Sequence, residues 1–217
     1  MNVRKLSLAL LFAGLASPSP ARAQVERLAG RVDEATRAAV VAVVDSTRSA
    51  GVPAVPLVNK ALEGASKGAD GARIVAAVRA LAADLGRARA ALGSAATDPE
   101  LVAGGAAVRA GVRPAFLQAL RARYPREPLM VPLAVMADLV ARGVPADTAA
   151  QSVASLMREG VRDADLVAFR QNVERDIALG APAGGAAAAR LSTATPGTID
   201  LTPNTPGTSS SRPPRKP

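Results

Sequence analysis

The chain has 217 residues, a formal net charge of +9 and no cysteine or histidine, and aromatic residues make up only 2% of it. These absences exclude disulfides, thiolate and imidazole metal sites, cysteine nucleophiles and Ser-His-Asp triads. With so few aromatic side chains, a surface that stacks nucleic-acid bases is not expected. Arginine outnumbers lysine 23 to 4 in a chain rich in Ala, Gly and Pro. GC-rich coding produces that bias, so the basic charge is interpreted mainly as composition.

Residues 1–23 have the pattern of a secretory signal peptide. Two basic residues precede an apolar run over residues 6–16, which is too short to span a membrane. Small residues then satisfy the cleavage rule, so we expect cleavage after Ala23 and a mature chain that begins at Gln24. An uncleaved amino-terminal anchor is the alternative. The leader predicts a periplasmic or extracellular protein.

The first mature helix is predicted over residues 25–49, where apolar residues recur at the three- and four-residue steps typical of one buried helix face. A helical hairpin is predicted next. Its short arm ends near Gly68, and its long arm carries an apolar stripe from Ile74 to Leu92. Asp70 is expected to cap the long arm at its amino end, and Gly93 to end it.

Five further helices are predicted downstream, and β-branched residues occur too sporadically to indicate strands. The first of the five is expected to start at an Asp98 cap and to be weakened by Gly104-Gly105. The predicted segments are residues 101–110, 115–123 and 129–142, a helix from an Asp147 cap to Gly160, and a last helix from Asp163 or Asp165 to Gly180.

Glycine followed by valine recurs where predicted helices end, at Gly51, Gly111, Gly143 and Gly160. Counting from these and similar glycines, apolar residues tend to recur six and thirteen positions later. The distances from 51 to 68 and from 143 to 160 are both 17 residues. This pattern predicts a degenerate helix-turn repeat. The alternative is that any helical bundle with glycine caps produces such spacings.

Together these segments predict an all-α fold, either an irregular helical bundle or a short stack of helix hairpins, with about six to eight helices. We expect one helical domain over residues 24–180. Residues 181–217 are rich in Ala and Gly and then in Thr, Pro and Ser, so they are predicted to be a disordered tail. The basic residues at its end are Arg212, Arg215 and Lys216.

One polar cluster on the short arm is a candidate interaction site, formed by Asn59, Lys60, Glu63 and Lys67. A helix would place Lys60, Glu63 and Lys67 on one face, because they are spaced three and four residues apart. The cluster is interpreted either as a recognition site for an anionic or polar partner or as a solvated ion-pair face. Exposed ion pairs are individually weak, which favours the second interpretation.

The remaining acidic residues carry no local catalytic or metal-binding pattern. Asp163 and Asp165 resemble a metal pair, but a calcium loop needs more oxygen ligands over about twelve residues, so helix capping is the preferred interpretation. A two-carboxylate glycosidase site would have to be assembled by folding from distant acids. Fingerprints of phosphate-binding and dinucleotide-binding loops are absent, and no cofactor is expected.

These observations predict an exported, non-enzymatic helical interaction or structural module, whose partner is another envelope protein or a second copy of the chain. The alternative is an envelope-surface binder whose basic tail makes weak contact with an anionic polymer or lipid. A carboxylate-dependent hydrolase is the least favoured hypothesis, and nucleic acid is not an expected partner.

Overall fold

The computed structural model describes residues 24–194, and the regular secondary structure in that range is entirely helical. The predicted all-α fold is therefore confirmed. This range holds nine helices of ten or more residues, slightly more than the six to eight predicted. They are α1 Glu34–Arg48, α2 Ala54–Ser66, α3 Gly71–Leu92, α4 Asp98–Ala110, α5 Pro114–Arg123, α6 Met130–Ala141, α7 Ala146–Arg158, α8 Asp163–Ala178 and α9 Ala183–Thr193. Within residues 24–194, none of these helices combines the length and the apolarity needed to cross a bilayer.

The chain divides into two compact units. Within the described residues, the first unit comprises residues 24–49 and 53–80, and the second comprises residues 50–52 and 81–194. In the first unit α1 packs against α2. Gly71 at the start of α3 lies so close to α1 that a Cβ atom built on it would stand 2.0 Å from Oγ1 of Thr36. A larger residue there would require the side chain of Thr36 to move.

The helix predicted over residues 25–49 is wrong at its amino end. Gly30 adopts a positive φ of 68°, and a separate helix starts after Asp33. Oδ1 of Asp33 accepts a hydrogen bond from the amide of Thr36 at 2.8 Å, which is the geometry of an N-cap. Because the helical phase restarts at this cap, the apolar spacing that continues across Gly30 does not describe one helix face. The side chains that α1 buries are Thr36, Val40, Val43 and Val44.

In the second unit α6 is the central helix, since it packs against α4, α7 and α8. Its sequence, MVPLAVMADLVA, contains a single charged residue. A helix surrounded by neighbours must be apolar on more than one side, which explains why α6 buries more than a single face. The side chains that it buries are Pro132, Leu133, Val135, Met136 and Leu139.

The Gly104-Gly105 pair does not interrupt α4, and both glycines are buried in a continuous helix. A Cβ atom on Gly104 would lie 3.0 Å from Cδ1 of Leu92 and 3.2 Å from Cβ of Ala88. One on Gly105 would lie 3.0 Å from Cδ2 of Leu85. The pair therefore allows α4 and the second half of α3 to pack closely.

The glycine turns have the predicted role of ending helices. Gly111 has a φ of 110°, and the amide of the following Val112 donates to the carbonyl of Ala107 at 2.9 Å, as in a Schellman motif. The same bond recurs after Gly143 and Gly160. Five of the turn glycines adopt a positive φ, and the residues six positions after them are all buried, namely Leu57, Ile74, Leu117, Ala149 and Leu166. These turns thus share a left-handed glycine, and a true sequence repeat stays a prediction.

The prediction that residues 181–217 form a disordered tail is wrong for its first part, because residues 183–193 form α9. Ala186 and Ala187 are buried, and Nε of Arg190 lies 2.6 Å from Oδ2 of Asp176. Small side chains bury little area, but they let α9 pack directly on α7 and α8. Residues 195–217 lie outside the described range, and so do residues 1–23.

Candidate interaction site

α2 brings the predicted charged residues together on one face. Nζ of Lys60 lies 2.9 Å from Oε2 of Glu63, and Nζ of Lys67, just after the last residue of α2, lies 2.5 Å from Oε1 of the same carboxylate. The side chains of Glu63 and Lys67 are 44% and 70% exposed, respectively. The spacing of Lys60, Glu63 and Lys67 therefore produces the predicted pairing, in which one surface carboxylate is shared by two ammonium groups.

The two lysines lower the pKa of Glu63 to about 2, through the hydrogen bonds from Lys67 and Lys60 and then through their positive charges. Glu63 is therefore ionised at all physiological pH values. A carboxylate held in this way is a poor proton donor near neutral pH, because a general acid needs a pKa near the working pH. Glu63 neutralises its neighbours instead.

Asn59 has a partner that the local sequence could not reveal. Nη1 of Arg27 donates to Oδ1 of Asn59 at 3.0 Å across 32 residues of sequence, and to Oε1 of Gln24 at 2.9 Å. Arg27 lies in the segment between Gln24, the predicted mature amino terminus, and α1. The folded chain thus adds an oriented guanidinium to the site.

These residues line a groove of about 750 Å³ in the first unit, called here the α2 groove. Its lining residues are Arg27, Arg31, Asn59, Leu62, Glu63, Ala65 and Ser66. Arg31 is exposed, and its guanidinium makes no hydrogen bond or ion pair with any residue between 24 and 194. The groove therefore combines one neutralised acid, one guanidinium held in place, one free guanidinium and an apolar wall.

The acidic pair of α8 serves the helix start. Arg162 occupies the N-cap position, and Oδ2 of Asp165 accepts a hydrogen bond from its backbone amide at 3.1 Å, so the predicted capping role is confirmed for Asp165. Asp163 is the first residue of α8. Across the described part of the chain, no three acidic side chains are grouped so that they could hold a metal ion.

A buried carboxylate that the sequence analysis missed lies in the second unit. Glu100 accepts hydrogen bonds from the amides of Thr97 at 2.9 Å and Leu129 at 2.8 Å, and from Nη2 of Arg121 at 2.5 Å. Burial acts to raise the pKa of Glu100, but these donors outweigh it and hold the pKa below its ordinary value. With both oxygens bonded, Glu100 has a structural role.

Thr97, and not the predicted Asp98, caps α4. Thr97 and Glu100 form a reciprocal capping box, in which each side chain bonds the backbone amide of the other residue. The Thr-x-x-Glu spacing that identifies such a box is visible in the sequence. Asp98 followed by proline obscured it, because that pair is itself typical of a helix start.

Each of two other aspartates has one partner that is distant in sequence and that only folding could supply, Arg109 for Asp84 and Arg113 for Asp147. Asp84, with a side chain 8% exposed, lies 2.6 Å from Nη2 of Arg87 and 2.7 Å from Nε of Arg109. Asp147 does not cap α7 as predicted, since Pro145 occupies the N-cap position. Asp147 instead lies 3.0 Å from Nη2 of Arg113.

Comparisons with models of known protein families, with curated proteins and with solved structures gave no match to this chain. The geometry of the α2 groove is therefore the observation from which a function is inferred.

Proposed function

We propose that the chain is an exported helical interaction module that binds a partner protein in the α2 groove. The observation that carries this proposal is Arg31, an exposed guanidinium with no partner among residues 24–194. It lines a concave surface beside Arg27 and Leu62. Arginine is enriched at protein interfaces relative to the rest of the surface, so this free guanidinium beside an apolar side chain favours a binding role.

Binding, and not chemistry, is the better use of these side chains. The acid in the groove is held ionised by two lysines. The hydroxyl of Ser66 donates to the backbone carbonyl of Glu63 at 2.8 Å, and no general base among the described residues is bonded to it. An activated nucleophile needs such a base within hydrogen-bond reach.

The compartment and the partner follow from the leader. A chain with the pattern of residues 1–23 is exported, so its partner is another envelope protein or a second copy of the chain. The groove of about 750 Å³ has room for a few side chains of that partner.

The proposal is tested by capturing partners from the native envelope fraction with three forms of the tagged protein. These are the wild type, Arg31→Glu in the groove and Arg79→Glu on α3. Arg79 is exposed, and its guanidinium, like that of Arg31, has no hydrogen-bond or ion-pair partner among residues 24–194, but Arg79 does not line the groove. The two variants therefore change the net charge equally.

We expect the wild type and Arg79→Glu to capture the same partner, and Arg31→Glu to lose it. A second copy of the chain would appear as a concentration-dependent increase in mass in sedimentation, again sensitive to Arg31 alone. Equal capture or equal self-association by all three forms would disprove the proposed function.

A further inference from the structure

The guanidinium of Arg27 is positioned with donors still available. Its hydrogen bonds to Gln24 and Asn59 both come from Nη1. Nε and Nη2 have no acceptor among the described residues. Since arginine carries five N–H donors in a planar fork, Arg27 can donate to a further acceptor without losing the bonds that orient it. All five N–H donors of the Arg31 guanidinium, in the same groove, are available to an acceptor.

The charge balance around these two arginines favours an anion. The one carboxylate that lines the groove, Glu63, is already shared by Lys60 and Lys67. An incoming anion therefore faces no unneutralised acid among the lining residues. Planar guanidinium forks match the geometry of a carboxylate in particular, because they can donate two parallel hydrogen bonds to it.

The apolar part of the lining distinguishes a protein ligand from a simple anion. Leu62 and Ala65 line the same groove as the two arginines. An isolated phosphate ion would leave these side chains uncovered. A peptide would place a methyl-bearing side chain on them while its acid reaches the arginines.

We infer that the α2 groove recognises an acidic side chain of the partner, an aspartate or glutamate, next to an apolar residue. The carboxylate accepts from Arg31 and from the free donors of Arg27, and the apolar residue covers Leu62 and Ala65. The side-chain amide of Asn59 lies beside the same position. This inference rests on the proposed function, because it names the chemistry of the partner that the groove would bind.

The test is an NMR titration of the purified protein with short peptides. The probes are acetyl-Asp-Leu-amide, its isostere acetyl-Asn-Leu-amide, and inorganic phosphate. We expect the aspartyl peptide to shift the Asn59 side-chain amide and the Ser66 backbone amide, and to bind about tenfold more tightly than the asparaginyl peptide, because hydrogen bonds to a charged group are the stronger ones.

Two variants test whether binding of the aspartyl peptide depends on Arg31. Arg31→Gln should weaken binding of the aspartyl peptide about tenfold, and Arg79→Gln should leave it unchanged. Circular dichroism checks that both variants are folded. Equal binding of the two peptides, shifts confined to other surfaces, or tighter binding of phosphate than of the aspartyl peptide would each overturn the inference.

The two proposals fail separately. Arg31-dependent capture of a partner together with no preference for the aspartyl peptide removes this inference and leaves the proposed function standing. Capture that ignores Arg31 removes the proposed function and this inference with it.

Discussion

Arg121 donates a hydrogen bond from Nη2 to Oε1 of Glu100, 21 residues away, and the two side chains are only 17% and 6% exposed. Nη1 of the same guanidinium donates to the backbone carbonyls of Tyr124 at 3.2 Å and Glu127 at 3.1 Å. One side chain therefore holds the connector between α5 and α6. Lysine could not replace it, because a single ammonium cannot reach acceptors spread over such a fork.

Arg89 of the second unit likewise donates hydrogen bonds to several backbone carbonyls. Its guanidinium donates to the carbonyls of Gly51, Gly93, Ser94 and Ala96 at 2.7 to 3.2 Å. These four acceptors include three in the turn between α3 and α4. The abundance of arginine was attributed mainly to GC-rich coding. Arg89 and Arg121 show that some of these arginines also donate hydrogen bonds to backbone carbonyls.

Removing Arg121, the buried partner of Glu100, should destabilise the fold. We expect Arg121→Ala to lower the free energy of unfolding by about 3–5 kcal/mol, because it leaves the buried carboxylate of Glu100 without its cation. Urea unfolding followed by circular dichroism measures this. Arg123→Ala, at an exposed position two residues on, should leave the midpoint unchanged. A loss of under about 1 kcal/mol for Arg121→Ala would contradict the role assigned to the pair.

Alanine should have opposite effects at two helical glycines. At Gly104 the added Cβ meets Cβ of Ala88 at 3.2 Å, which no rotamer change can relieve, so we expect a loss of about 1–3 kcal/mol. At Gly86 nothing lies within 4 Å of the added Cβ, so the higher helix propensity of alanine should stabilise by about 0.5–1 kcal/mol. Thermal unfolding compares the two variants. The same sign of effect at both positions would refute this packing argument.

Glu63 should stay ionised in acid. Its pKa of about 2 lies below the ordinary value of 4.5, so the stabilisation that it provides is complete above 4.5 and is lost as the pH falls towards 2. Carbon-detected NMR titration of the side chain measures the pKa directly. High salt should raise it, since both lysine pairs are exposed to solvent. In a Lys60→Gln, Lys67→Gln double variant the pKa should return towards 4.5. A wild-type pKa already near 4.5 would show that the pairs do not form in solution.

Export should produce a defined amino terminus. We expect the protein recovered from the native envelope or medium to begin at Gln24, as measured by intact mass and amino-terminal peptide sequencing. Replacing Ala23 with a large residue such as Phe should block processing, because the cleavage rule requires a small side chain there. A protein recovered from the cytoplasm with residues 1–23 intact would disprove the predicted leader.

The basic end of the chain should be dispensable for partner capture. Arg212, Arg215 and Lys216 are far in sequence from the α2 groove. We expect deletion of residues 205–217 to leave capture and envelope retention unchanged across ionic strengths. Retention that is lost on deletion, and that also weakens with salt in the intact protein, would support the alternative envelope-surface binder.

Much of the fold was predictable because its signals are local. Most of the predicted stripe of α3 is buried, at Ile74, Val78, Leu85, Ala88 and Leu92. Leu81, which also belongs to the predicted stripe, is only half-buried, and the neighbouring Ala82 is buried. The cap at Asp70 was also correct, since Oδ1 accepts from the amide of Arg73 at 2.8 Å. Such features depend on residues within one or two helical turns. The break before α1 was missed because the apolar spacing continues across it. Gly30 and Asp33 were nevertheless visible signals, since glycine is typical of a helix end and aspartate of a helix N-cap.

The sequence by itself determined the helical class, the turn glycines and the Lys60–Glu63–Lys67 face, since each depends on spacing along one helix. Tertiary structure decided the rest. It brought Arg27 to Asn59, buried Glu100 against Arg121, and made α9 a packed helix although its own side chains are small. These outcomes depend on which helix surfaces contact each other in the folded chain. The periodicity of residues along one helix does not predict those contacts.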